Sequence, residues 1–178
     1  MDVALLEKSF RQISPQAIEF SASFYRNLFR FYPELKALFT KTSQEAQERK
    51  LIFSLAIIVD NLRNLDRLQS ALRSLGARHV QVGTLKSHYP LLGKALLETL
   101  AEYLGADWTQ TLAIAWTEAY DAITTTMIEG ANDPETYLEP EFTFYDWINA
   151  YRAESPRVRN TADTLNNVHH AQPARSIS

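Results

Sequence analysis

The stretch DRLQSALRSLGARHVQVG, residues 66–83, has the pattern of an amphipathic helix that ends at a glycine. Its apolar stripe advances by four, three, four and three residues, through Leu68, Leu72, Leu75, His79 and Val82. Side chains at this spacing share one face, so His79 is predicted to point inward with the leucines. A buried imidazole needs a partner for each ring nitrogen. The stripe alone leaves open whether His79 is a hydrogen-bonded core residue or a metal ligand.

The same periodicity recurs on both sides of this stretch, without an alternating strand pattern of useful length. Glycine is scarce, with five residues in the chain. Prolines and capping side chains divide the pattern into segments. The predicted helices cover residues 2–13, 14–32, 33–39, 43–62 and 66–82. The next has Pro90 in its first turn and ends at 104, and a last one starts at 107 or 109 and reaches about 129. These seven helices predict an all-α domain over residues 1–131.

The composition excludes several classes of protein. The chain has 178 residues, 46% of them apolar, which is enough for one domain with a core. The net charge of −3 comes without a basic stripe, so nucleic acid is not an expected partner. No run approaches ~18 apolar residues, so no membrane span is expected. Cysteine is absent and residues 1–9 do not resemble a signal peptide, which favours a cytoplasmic protein.

Residues 132–178 differ from the rest and are predicted to form a C-terminal extension. They hold four of the seven prolines and the whole net charge, because residues 1–131 carry 14 acidic and 14 basic side chains. Phe144, Trp147, Ile148 and Tyr151 are spaced as one face of a short helix near residues 142–152. After Ser155 the polar composition predicts disorder.

Three more polar side chains fall on apolar stripes. Gln47 leads a stripe that continues through Leu51, and Tyr25 and Tyr89 share faces with apolar residues on their own helices. Each has an ordinary alternative, since a first-turn glutamine often caps a helix and a core tyrosine often extends its hydroxyl to the surface. Together with His79 they suggest a pocket with one hydrogen-bonding side and one ligating side. A single histidine suits zinc or di-iron poorly but is sufficient for haem, whose porphyrin supplies four nitrogens.

The sequence resembles the single-domain bacterial haemoglobins of the flavohaemoglobin lineage, which have the globin fold. The similarity covers about residues 5–130. The matching segments are FYRNLF (24–29), PEL (33–35) with LF (38–39), LGARH (75–79), SHYPLLG (87–93) and AWTEAY (115–120).

The resemblance implies a role for each matching residue. His79 corresponds to the proximal histidine that ligates the iron of haem b, and Tyr89 to the tyrosine beside it. Tyr25 and Gln47 correspond to the distal pair that hydrogen-bonds dioxygen. The expected apolar haem contacts are Phe39, Leu51, Val82 and Leu92. His88 is expected to belong to a helix start rather than to ligate the iron, and no distal histidine is expected, so the ferrous haem should be pentacoordinate.

Three departures from the family pattern stand out. The family's late glutamate, which pairs with the proximal histidine, aligns with Ala131, and Glu129 lies about 200° around the helix from that position. The segment between Phe39 and Gln47 is about two residues shorter than usual. A chain of this length is not expected to hold the flavin and nicotinamide modules of flavohaemoglobins, and the resemblance does not extend to residues 132–178.

The function expected from the resemblance is reversible dioxygen binding, with nitric oxide dioxygenation if an external reductase supplies electrons. Whether the protein is an enzyme stays open, as does the choice between monomer and homodimer. A second hypothesis is a haem-based gas sensor that signals through residues 132–178. A third, a scaffold without haem, is less well motivated because such a protein needs no ligating histidine.

Overall fold

The computed structural model describes residues 1–138 together with Asp146 and Asn149. These residues contain helices and no strand, as predicted. The α-helices are α1 (Val3–Ile13), α2 (Ala17–Phe31), α3 (Gln44–Asn61), α4 (Gln69–Gln81), α5 (His88–Leu104), α6 (Gln110–Asn132) and the short α7 (Pro134–Tyr137). Segments of 3₁₀-helix lie at Ser14–Gln16, Pro33–Phe39, Leu62–Leu68 and Gly105–Asp107. Apart from Asp146 and Asn149, the short helix predicted near 142–152 lies outside the described residues.

Side-chain caps mark the start of α1, α3 and α6. Asp2 accepts a hydrogen bond from the backbone N–H of Leu5, at 3.1 Å, before α1. Ser43 caps α3 as predicted. Of the two residues proposed to start the last helix, Thr109 is the cap, because its side chain accepts from the N–H group of Leu112 at 3.2 Å. Each cap satisfies a backbone donor that the first turn of a helix leaves unpaired.

Three predicted boundaries were wrong. The α-helix predicted from residue 66 begins at Gln69, because residues 66–68 belong to the preceding 3₁₀ segment. The one predicted from residue 14 begins at Ala17, after a separate 3₁₀ turn. The last helix continues beyond residue 129 to Asn132. Over one or two turns, the 3₁₀ and α periods are too similar to separate by pattern.

Val82 is the one member of the inward stripe that the structure places elsewhere. The α4 helix ends at Gln81, and Val82 is 46% exposed. The chain then turns at Gly83, whose φ of 87° is in the left-handed region that favours glycine. The predicted inward position of Val82 was therefore wrong, because the helical spacing ends one residue before it.

The core forms where α1, α2, α3, α5 and α6 bury apolar faces against one another. The indole N–H of Trp116 donates to the Ser9 hydroxyl at 3.0 Å, which joins α6 to α1 inside the core. Asn27 donates to Thr99 at 3.2 Å and so joins α2 to α5. The α4 helix contributes Leu72 to this core and packs closely along α6. None of the helices among the described residues has both the length and the apolar character needed to cross a membrane.

Candidate ligand-binding site

His79 lies in the last turn of α4 with its imidazole held by the preceding turn. Its Nδ1 atom is 2.7 Å from the carbonyl oxygen of Leu75. A carbonyl can only accept, so Nδ1 carries the proton and Nε2 keeps its lone pair. Nε2 forms no hydrogen bond with the described residues. Burial lowers the pKa of His79, and the bond to Leu75 offsets part of that effect. The imidazole is therefore neutral, which is the form that ligates a metal.

Tyr89, in the first turn of α5, covers one face of this imidazole. The two ring centroids are 6.2 Å apart and the planes differ by 26°. Tyr89 is only 5% exposed, and its buried hydroxyl has no hydrogen-bond partner among the described residues. Burial raises the pKa of this phenol, so it remains protonated at neutral pH. An unpaired buried hydroxyl is costly, which suggests that it acquires a partner when the site is filled.

Tyr120 on α6 contacts the backbone of Tyr89, and no role was predicted for it from the sequence. Its hydroxyl donates to the backbone carbonyl of Tyr89 at 2.6 Å, which ties the start of α5 to α6. Burial, and secondarily the neighbouring Tyr89, raise the pKa of Tyr120. Tyr120 follows Trp116 by four residues on the same helix, a spacing that could have identified it as inward-facing. Leu75, His79, Tyr89 and Tyr120 are called the proximal cluster below.

Tyr25 on α2 lies at the centre of a second group of aromatic side chains. It is 5% exposed, and its ring centroid is 5.0 Å from that of Phe24, 5.9 Å from Phe29 and 5.5 Å from Phe39. Three of these rings come from one helix and Phe39 comes from the 3₁₀ segment that follows it. With Gln47, these residues are called the distal cluster below.

The hydroxyl of Tyr25 donates to the backbone carbonyl of Gln47, the fourth residue of α3, at 3.3 Å. The structure thus brings together the two predicted distal residues, but through the main chain of Gln47. Its partly buried amide side chain forms no hydrogen bond with the described residues. Desolvation, and secondarily the charge of Glu48, raise the pKa of Tyr25, so the phenol stays a donor. At 3.3 Å this hydrogen bond is long and therefore weak.

The other residues predicted to contact haem differ in how deeply the structure buries them. Leu51 and Leu92 are partly buried and pack against the core, as Phe39 does. Val82 is exposed, so its contact with a cofactor stays a prediction. His88 begins α5, and its Nδ1 accepts a hydrogen bond from the Leu85 N–H at 3.1 Å, which suits the predicted role in a helix start.

Glu129 does not take the place of the family's proximal glutamate. Its carboxylate pairs with the guanidinium of Arg73 at 2.9 Å, and the side chain is 50% exposed. The acid therefore faces the first turns of α4 and not the imidazole of His79, which lies in the last turn.

An open groove of about 580 Å³ lies between α5 and α6. Tyr89 and Tyr120 line its wall, whereas His79, Tyr25 and Gln47 do not. The groove therefore borders the proximal cluster through these two tyrosines and does not include His79 or the distal cluster.

The family comparison agrees with this geometry. The model of the globin family matches residues 22–127, well over half of the chain. The chain belongs to the globin family. The globin fold predicted from the resemblance is thereby confirmed.

This globin is related to the globin domains of flavohaemoproteins. It is 29% identical over 128 residues to a flavohaemoprotein of Chromobacterium violaceum, a match that covers 70% of this chain and 31% of that protein. It is 32% identical over 126 residues to the Vibrio cholerae flavohaemoprotein, covering 70% of this chain and 32% of the relative. The chain thus spans about a third of the length of the flavohaemoproteins it matches.

Among solved structures, this globin is similar to an engineered carbene transferase derived from a Rhodothermus marinus protein with a provisional assignment as a nitric oxide dioxygenase. The identity is 31% and the TM-score 0.68, with 75% of this chain and 93% of that chain covered. The haem expected in this family fits the residues present. Nε2 of His79 has no hydrogen-bond partner among the described residues and would be free to ligate a porphyrin iron, and the ring of Tyr89, whose buried hydroxyl is also unpaired among those residues, stacks on the same imidazole.

Proposed function

We propose that this globin holds haem b through His79 and binds dioxygen reversibly on the side of the distal cluster. When bound, haem supplies the iron at which dioxygen is taken up and released. The observation that carries the proposal is the geometry of the His79 imidazole, whose Nδ1 lies 2.7 Å from the carbonyl oxygen of Leu75 and whose Nε2 has no partner among the described residues.

The distal cluster provides hydrogen-bond donors in apolar surroundings. The Tyr25 phenol stays protonated because burial raises its pKa. Its weak bond to the Gln47 carbonyl can be exchanged for a stronger one to a negatively polarised ligand. The amide of Gln47 is a second donor on the same side. Such donors stabilise polarised dioxygen more than carbon monoxide, and the rings of Phe29 and Phe39 help to exclude water.

Nitric oxide dioxygenation is the proposed activity when an external reductase supplies electrons. The flavohaemoprotein relatives support this extension, although the chain covers only about a third of their length. The alternative of a gas sensor depends on residues 132–178, most of which lie outside the described residues, so it stays a prediction.

The test is the dioxygen dissociation rate of the haem-loaded protein and its Tyr25→Phe variant. A hydrogen bond to a charged or strongly polarised group contributes about 1.5–3 kcal/mol, so dissociation should be about 10-fold to about 150-fold faster in Tyr25→Phe. Gln47→Ala should have a smaller effect of the same sign. Tyr103→Phe is the matched control, because that hydroxyl bonds to Ser23 and not to the distal cluster.

Rapid dissociation from the wild type that is unchanged in Tyr25→Phe would contradict the proposed role of the distal cluster. For the nitric oxide reaction, the oxy form is mixed with nitric oxide in a stopped-flow instrument. Stoichiometric nitrate formation is expected, and an oxy form that persists beside nitric oxide would contradict the proposed activity.

A further inference from the structure

The backbones of α4 and α6 touch at two glycines, one on each helix. A Cβ atom added at Gly76 would overlap the carbonyl oxygen of Met127 and lie 2.6 Å from its carbonyl carbon. A Cβ atom added at Gly130 would overlap the carbonyl oxygen of Arg73 and lie 2.6 Å from its Cα. Both obstacles are main-chain atoms, which cannot rotate away as a flexible side chain can. The approach of the two helices therefore depends on glycine at both positions.

This contact is directly connected to the imidazole of His79. The carbonyl oxygen that accepts the Nδ1 proton belongs to Leu75, and the nitrogen of the same peptide unit is that of Gly76. Peptide units are planar and rigid. Movement of Gly76 away from Met127 would therefore move the atom that orients His79.

We propose that Gly76 and Gly130 are positioning residues for His79. They set the distance of α4 from α6, and through the peptide between Leu75 and Gly76 they set the orientation of the imidazole. This inference rests on the proposed role of His79 as the axial ligand.

The direction of the two helices gives the inference independent support. Along α4 the contacts advance from Arg73 to Gly76, while along α6 they move back from Gly130 to Met127. The helices are therefore antiparallel here, and His79 lies farther along α4, beside a part of α6 that precedes Met127.

Tyr120 locates that part of α6, because its hydroxyl reaches Tyr89, whose ring stacks on His79. The glycine contact therefore lies on the side of His79 where its Nδ1 atom bonds to Leu75, since Leu75 lies between Arg73 and Gly76.

The experiment measures the iron–histidine stretching band of the haem-loaded, ferrous, ligand-free protein by resonance Raman spectroscopy. In Gly76→Ala and Gly130→Ala we expect this band to shift to lower frequency and broaden, because the bond from Nδ1 to Leu75 loses its fixed geometry. Haem loss should accelerate by about 10-fold to 100-fold, the usual effect of disturbing a partner of a metal ligand. Helix propensity alone favours alanine over glycine, so a loss of stability would have to come from the contact.

Gly105→Ala is the matched control. Gly105 has a φ of 51° and nothing within 4 Å of an added Cβ, so alanine strains a turn without touching α4. We expect it to lower stability and leave the band unchanged. A band displaced as far in Gly105→Ala as in the two contact variants would overturn the inference.

An unmoved band in both glycine variants would overturn the inference while leaving haem binding intact. Absence of any iron–histidine band from the wild type would instead contradict the proposed function. If neither variant folds, hydrogen exchange of the haem-loaded wild type decides. Amides of residues 77–80 should be as protected as those of α6 around Met127. Exchange as fast as in the loop of residues 83–87 would overturn the inference.

Discussion

The proximal and distal clusters hold their polar groups by different means. In the proximal cluster the imidazole of His79 bonds to a main-chain carbonyl at 2.7 Å, and the helix that carries it is pressed backbone to backbone against α6. In the distal cluster the Tyr25 hydroxyl donates a long hydrogen bond of 3.3 Å to the backbone carbonyl of Gln47. The side-chain amide of Gln47 has no partner among the described residues.

The difference corresponds to what each side is proposed to do. A metal ligand benefits from fixed geometry, because a misplaced imidazole weakens the bond to iron. A gas arrives and leaves, so its hydrogen-bond donors must exchange partners readily. The same fold thus combines a rigid ligand on α4 with replaceable donors on α2 and α3.

Removing the proximal ligand should have the largest effect. In His79→Ala the iron–histidine band should be lost and haem should dissociate ~100-fold faster or more, since loss of the ligand exceeds the disturbance of a ligand's partner. His88→Ala is the control, because His88 is engaged at the start of α5. Equal haem retention in both variants would remove the basis for treating the two clusters as ligating and hydrogen-bonding sides.

High pH tests the buried phenol of the distal cluster. Burial raises the pKa of Tyr25 above the ordinary value of 10.0. Above about pH 10 the unfolded chain loses a proton that the folded chain retains, so stability falls as pH rises, by about 1.4 kcal/mol per pH unit for each such tyrosine. Urea unfolding from about pH 9 to about pH 11 should give a shallower decline in Tyr25→Phe. An unchanged decline would show that Tyr25 ionises normally in the folded protein.

The smallest effect is expected from breaking the ion pair between Arg73 and Glu129. Glu129→Gln removes the partner of Arg73, but Glu129 is half exposed, so stability should fall by no more than about 1 kcal/mol. Thermal unfolding measures the stability, and the iron–histidine band should not move. A band as displaced as that of Gly76→Ala would mean that Glu129 does act on the imidazole.

The sequence predicted the parts of this molecule that follow from local periodicity. The helical segments, the Ser43 cap and the inward position of His79 all arise from spacing along one helix. The predicted inward position of Val82 was wrong because the helical spacing does not continue past the end of α4, where the chain turns at Gly83. The prediction of α-helix for residues 66–68 was wrong because their pattern does not distinguish the 3₁₀-helix that the structure has there from an α-helix.

Contacts between helices could not be predicted in the same way. Gly76 looks like an ordinary glycine in a helix until Met127 is found against it. The pairing of Tyr25 with Gln47 follows from their expected roles, but nothing in the side chains indicates that the main-chain carbonyl is the acceptor. Tyr120 carries a sequence signal for burial and none for its bond to Tyr89.

The acceptor beneath the Tyr25 hydroxyl is a peptide oxygen, and this has a practical consequence for protein engineering. Any amino acid other than proline introduced at position 47 brings the same carbonyl, so the Tyr25 hydroxyl keeps its acceptor whichever side chain is chosen. A saturation library at that codon should therefore vary gas affinity through the side chain alone, with the phenol as a constant background.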